Sequence, residues 1–380
     1  MFETAHPLDR LLKAAADARA SDVHLTADQP ALMRVDGDLV RIPEFPDPLT
    51  MDWLEPALSR IMPRDRFTEF TESGEVDLSY SVADVGRFRV NVYRQLGAVA
   101  VALRLIPSTV FSLDALGAPP IIRDFALKPR GLVLVTGPTG SGKSTTLTAM
   151  VDIINSSLPA HVITVEDPIE FQHTSRTALI HQREIGADTA SFSEALRRVL
   201  RQDPDVILVG ELRDPESIST ALSAAETGHL VLSTLHTQGA TKSINRIVDA
   251  FPSHQQDQVR SQLGDTLQGI ISQTLLPRAQ TTGRIIATEV LVNTPAVANM
   301  IREGQVAQLY SALQAGSAIG MHTLDQDLKR LVEEGMISQQ VARAYAVDPT
   351  TLDGARIRPR DFDAEAWSSN ADSWQLTRKQ

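Results

Sequence analysis

Glycines, a lysine and hydroxyls recur at a spacing suited to phosphate in Gly137-Pro138-Thr139-Gly140-Ser141-Gly142-Lys143-Ser144, with Thr145 following. The run fits G-x-x-x-x-G-K-[ST] without departure. Gly137, Gly140 and Gly142 permit backbone conformations that a Cβ resists. Successive N–H groups can therefore point inward around a phosphate, with the positive end of the next helix behind them. Lys143 is long enough to reach β- and γ-phosphates, and the Ser144 hydroxyl can ligate Mg²⁺. These residues specify a nucleotide site.

Acids that could work with this loop stand where apolar runs end. Residues 162–165 form such a run and finish in Glu166 and Asp167, and carboxylates just past a parallel strand stand where ligands bind in open α/β sheets. Asp167 has an alternative role as a cap before Pro168. Residues 206–209 lead into Gly210 and Glu211, a segment like a Walker B strand with glycine where the usual aspartate stands. Asp214 and Pro215 read as N-cap and first residue of a helix, so Glu211 is assigned to the metal-bound or attacking water. The run LVLSTL stops at His236, placed to sense a γ-phosphate. His229 lies at a helix-to-strand turn, where a histidine is more often structural than catalytic.

In GRFRVNVYR the apolar Phe88, Val90 and Val92 alternate with Arg87, Arg89, Asn91 and Tyr93, which makes one face cationic. Arg104 follows in VALRLIP, and a short turn near Gln95 and Gly97 brings it close to Arg89, although a one-residue slip would send one of them to the opposite face. Such a face is either solvated or waiting for a phosphate.

These groups must be positioned by an α/β chain. Helical spacing marks 7–18, and strands are expected over DVHLTA, ALMRVDGDLVRI, 75–82, 86–94 and 98–106, with two short helices within 50–72; residues 1–106 thus form an α+β domain. The proline-containing 107–120 reads as a linker and hinge. From 121 to 347, apolar strands alternate with helices. SFSEALRRVLRQ has a capping box from Ser191 to Glu194, and helices are expected near 240–249, 253–275, 295–303, 306–314, 323–334 and 338–346, with a strand over RIIATEVLV. Residues 348–380 mix Pro, Gly, Ser and Asn with balanced charges and are expected to be mostly disordered.

With 380 residues and 42% apolar content, the chain can build two or three cores. A net charge of −11 argues against broad affinity for nucleic acid. The absence of cysteine excludes disulfides and thiolate zinc sites. The first residues lack a signal-peptide core, and no apolar run approaches the ~20 residues of a spanning helix, so membrane insertion is not expected.

Taken in order, ASDVHL, RVDG, GPTGSGKST, the acidic box ITVEDPIEF, HQREIG, RQDPDVILVGELRD, AAETGHLVLSTLHT and NTPAVANMIREG resemble the secretion-superfamily hexameric ATPases. The likeness covers residues 7–345 and is strongest to the type IV pilus retraction branch of twitching motility. It implies a PAS-like N-terminal domain, a RecA-like P-loop ATPase domain, ATP and Mg²⁺ held between them, and a homo-hexamer. It assigns Arg89 and Arg104 to the phosphates on domain closure, Glu166 and Asp167 to the acidic box, with Glu166 assisting Glu211 and Asp167 near the metal, and His229 and His236 to a histidine box. It also implies a cytoplasmic location at the inner face of the membrane, an inner-membrane pilus platform protein as partner, and room for a paralogous pilus ATPase.

One helix departs from the family pattern. The motif near AIRNLIREGK, associated with retraction as distinct from hydrolysis, reads AVANMIREGQ here, with Ala298 for arginine and Gln305 for lysine. Rival readings are an assembly or secretion ATPase, whose usual tetracysteine insertion is missing, a nucleic acid translocase on the same core, and a non-catalytic ring component, against which intact Lys143 and Glu211 count.

Overall fold

The computed structural model describes residues 6–35, 37–106, 110–281 and 283–355. Six strands, β1 (Asp22–Thr26), β2 (Leu32–Val35), β3 (Asp38–Arg41), β4 (Glu75–Val82), β5 (Gly86–Gln95) and β6 (Ala98–Ile106), make an antiparallel sheet in the order β3-β2-β1-β6-β5-β4. Period-two alternation buries Phe88, Val90 and Val92 of β5 in one core with Leu8, Leu11 and Leu12 of the helix Pro7–Asp17 and Leu54 and Leu58 of the helix Met51–Ile61. The opposite face is left to the arginines.

The second sheet contains β7 (Gly131–Thr136), β8 (His161–Glu166), β9 (Leu179–Glu184), β10 (Val206–Val209), β11 (Leu230–Leu235), β12 (Leu267–Pro277) and β13 (Arg284–Val292). Its order is β13-β12-β7-β11-β10-β8-β9, parallel except for β13 against β12. Strands β7, β10 and β11 are buried at every residue, as expected of parallel strands covered on both faces. Leu132 and Leu134 join the core that holds Leu222 of the helix Pro215–Glu226 and Ile244 of the helix Ala240–Asp249, whereas Val133 and Val135 join Leu147 and Ile154 of the helix Lys143–Ser157. A smaller core unites Leu276, Ile285, Leu328, Leu331 and Leu352.

Four expectations are corrected. The helix expected over 253–275 ends at Thr266, and β12 begins at the next residue. An apolar run such as LQGIISQTLLP suits a buried helix or a buried strand equally, and the pairing of its backbone with β7 and β13 decides the outcome. The linker is structured in part: Leu113–Leu116 is a turn of helix capped by Ser112, and Leu113 is buried with Phe125 and Leu147. Residues 349–352, expected in the tail, form a 3-10 turn with Leu352 fully buried, held by amides of Val347 and Asp348 bonded to Asp325. The remainder of that tail, 356–380, lies outside the described residues, as do 107–109 of the linker. Ser191 caps its helix, but the Glu194 carboxylate bonds Arg198, so only half of the expected capping box is made.

Candidate active site

Because β7, β8, β10 and β11 run parallel, the loops after them leave one edge of the sheet. The phosphate loop emerges from β7, and Lys143 begins the helix behind it. Gly137 and Gly142 have φ of +142° and +87°, and a Cβ on Gly137 would lie 2.3 Å from the Gln273 carbonyl oxygen, so glycine is required there. Lys143 Nζ donates to the carbonyls of Gly137 (2.9 Å) and Pro138 (3.0 Å). Burial lowers the pKa of this ammonium, while Glu211 and Glu170 oppose the shift.

The loop after β10 is stapled to β11. Ser233 Oγ donates to Val209 O, Thr234 Oγ1 donates to Gly210 O, and Leu212 N donates to Thr234 O. The staple brings Glu211 beside His236: Glu211 Oε2 lies 3.0 Å from His236 Nε2, and the other carboxylate oxygen is paired with Arg213. His236 Nδ1 lies 3.5 Å from Thr139 Oγ1, so the imidazole bridges the phosphate loop and the acid. A cavity of about 410 Å³ opens beside them, lined by Glu211, Arg213, His236, Thr237 and Arg246. Asp167 is exposed on the same side and acts electrostatically on Arg213, and Asp214 caps the next helix through a full capping box with Ser217.

Glu166, expected to assist Glu211, is the last residue of β8. Its Oε1 accepts from Thr164 Oγ1 (2.6 Å) and Gln182 Nε2 (3.2 Å). Burial raises its pKa above the ordinary carboxylate value despite those bonds. His229 lies at the helix-to-strand turn, as expected, and away from His236, because it precedes the first residue of β11 whereas His236 follows the last, a separation of about six strand residues or ~20 Å. Its Nδ1 lies 3.0 Å from Ala224 O, at the end of the helix Pro215–Glu226. Within one chain, His229 finishes a helix and does not meet the phosphate loop.

Arg89 and Arg104 are directly opposed across β5 and β6 on one face, as the short turn implied. Both are exposed, and Arg104 Nε donates to Asp22 Oδ1 at 2.8 Å. Burial disfavours the Asp22 carboxylate, but Arg104 and Ser21 outweigh it and hold the pKa low. Two residues along from Arg89, Arg87 reaches the second sheet: its Nη2 donates at 2.7 Å to Glu184 Oε2, which also accepts from Ile169 N in the segment after β8 (3.1 Å). Arg66 adds a bond to Gly186 O. The arginine face of the first sheet is therefore the face that meets the acidic box.

Sequence reasoning gave no role to Glu184, Arg213 or Gln273. The alternation in β5 flags Arg87, and Gly137 marks the close approach of Gln273, but their partners lie far along the chain. Ser144, Glu211 and Asp167 are hard oxygen donors of the kind magnesium takes, and magnesium commonly completes its shell with phosphate and water. In donor chemistry these groups suit this ion.

The family model for type II/IV secretion system protein matches residues 4–343. The type IV pilus retractation ATPase PilT of Pseudomonas aeruginosa is 49% identical over 342 residues, 90% of this chain and 98% of that protein. A twitching motility protein of Neisseria gonorrhoeae is 49% identical over 321 residues, 84% of this chain and 85% of that protein. A crystal structure of the pilus retraction motor PilT with bound ADP superposes with a TM-score of 0.84 at 45% identity, covering 90% of this chain and 98% of the other. With an intact phosphate loop, an acid at the end of β10 and near-complete coverage of these relatives, the chain belongs to the type II/IV secretion system protein family as one of its P-loop ATPases.

Proposed function

We propose that this ATPase is the motor of type IV pilus retraction, a ring of six copies at the cytoplasmic face of the inner membrane that works on a platform protein and so powers twitching. The observation that carries this reading is 49% identity over 98% of a relative named for retraction. No helix among the described residues is long and apolar enough to cross a membrane.

The residues divide the chemistry. Loop amides and Lys143 hold the β- and γ-phosphates, and Glu211, aimed by His236 and Arg213, orients the attacking water. Ser144, Glu211 and Asp167 would hold Mg²⁺, which would supply charge that neutralises the phosphates. Arg89 and Arg104 offset charge that develops on the transferred phosphoryl group when the two sheets close. Glu166 supports the acidic box from its bonds to Thr164 and Gln182.

Deletion of the gene with imaging of surface pili tests the direction of work. Surplus pili that extend without shortening, and loss of twitching, are expected. Bald cells would indicate an assembly motor, and unchanged retraction an accessory paralogue. Ala298 is 6% exposed, packed where the helix Pro295–Arg302 meets Gly264, so an arginine there would strain the packing. Exposed Gln305 is the position to restore, and Gln305→Lys should raise retraction without a matching rise in ATPase rate if coupling is limiting.

A further inference from the structure

Gln273 is 1% exposed and lies on β12 one residue past the last pair with β7, Ser272 against Thr136. Its Nε2 donates to Ser141 O at 2.7 Å, and its Oε1 accepts from Thr146 Oγ1 at 2.9 Å. One side chain thus grips the phosphate loop and the first turn of the helix behind it. The backbone joins in, because the Gln273 carbonyl fills the space a Cβ on Gly137 would need, and the same side-chain Nε2 would be 3.2 Å from a Cβ on Gly142. Beside it, Ser272 Oγ accepts from Gly239 N at 2.8 Å, and Glu289, paired with Ser272 across β12 and β13, accepts from Ala240 N at 2.8 Å. The β12–β13 hairpin therefore holds both the phosphate loop and the segment that follows His236.

We infer that Gln273 is a positioning residue for nucleotide binding, which fixes the phosphate loop in the shape that presents its amides to phosphate. Without its amide, Ser141 O loses a buried donor, and the loop, which turns at three glycines, is free to adopt shapes that aim its N–H groups elsewhere. The role is indirect, because Gln273 acts through Ser141 and Thr146. The inference rests on nucleotide binding at this loop and is independent of retraction.

The test uses the full chain, with fluorescent ADP for affinity and ATP turnover for kcat and KM. Gln273→Met keeps length and removes both hydrogen bonds, and it should weaken ADP binding about tenfold while lowering kcat/KM at least as far. Thr146→Val should weaken binding roughly three- to fivefold by leaving the Gln273 oxygen unpaired, and Thr146→Ser should restore it. The double variant should bind no worse than Gln273→Met, because the one bond that Thr146→Val breaks is already lost in Gln273→Met. A role limited to packing would lower the melting temperature with and without nucleotide and leave the Kd unchanged. Wild-type affinity in Gln273→Met would overturn the inference. If that variant fails to fold, equal affinity of Thr146→Val and Thr146→Ser would do the same. Failure of the unaltered chain to bind ADP would instead refute the nucleotide site itself.

Discussion

Replacing Arg87 by methionine keeps the aliphatic stem and removes the only guanidinium bonded to Glu184 among the described residues. The two side chains are 16% and 6% exposed, so the loss leaves a carboxylate largely out of water. Breaking a fully buried pair costs about 3–5 kcal/mol. Two features reduce that here: Glu184 keeps the Ile169 amide, and Arg87 Nε is buried without an acceptor among the described groups, so the intact pair is itself imperfect. About 2 kcal/mol is a reasonable expectation, or roughly a thirtyfold shift in a local opening equilibrium. Because Glu184 also holds Ile169 N, hydrogen exchange at the Ile169 amide should accelerate by that factor. Adding Glu184→Gln to Arg87→Met should recover most of the protection, since a neutral amide needs no counter-charge. Exchange within about threefold of the unaltered protein in Arg87→Met would refute the view that this pair ties the acidic box to the first sheet.

Lys143→Ala should abolish hydrolysis and weaken nucleotide binding, whereas Glu211→Gln should retain binding and lose about a hundredfold or more in kcat; near-normal turnover in the latter would remove Glu211 from the mechanism. Arg89→Ala and Arg104→Ala should each lower kcat far more than they weaken ATP binding, with the oligomer intact by sedimentation; normal kcat in both would leave only a solvated arginine face. His236→Asn should depress kcat with little change in melting temperature. His229→Asn should do the opposite, costing about 1 kcal/mol of stability at the helix end it finishes, and a reversed pattern would restore His229 to the chemistry.

How much of this could be read from the chain depended on the range of each interaction. The phosphate-loop motif is local, since its residues lie within nine positions, and the alternation in β5 put Arg89 on a cationic face, whereas the register that sets Arg104 opposite it stayed open until the pairing of β5 with β6 was seen. The same local logic identified Asp214 as a cap and freed Glu211 for other work. Strand β12 was misread because periodicity cannot separate a buried helix from a buried strand, and Gln273 was hidden by that error. A clue was present in Gly269, where a Cβ would lie 2.2 Å from the Phe125 ring and 2.8 Å from Leu291 O: glycine inside an apolar run signals close backbone approach. Glu166 was read from its place at a strand end and His229 from the resemblance, and only their three-dimensional neighbours showed Thr164, Gln182 and Ala224 as partners.

The opposed Arg89 and Arg104 also make ionic strength a lever on this protein. Like charges directly across a sheet repel, and one carboxylate, Asp22, is bonded to the pair through Arg104, so these three groups together carry a local positive charge that mobile counter-ions screen. At ~0.15 M salt that screening acts over about 8 Å, close to the scale of an approaching triphosphate. A polyanion arriving there displaces small ions and relieves the repulsion, so dilute buffer favours its capture and concentrated salt its release. Rates of ATP turnover are therefore best compared at one ionic strength, since salt acts on this arginine pair as well as on the chemistry.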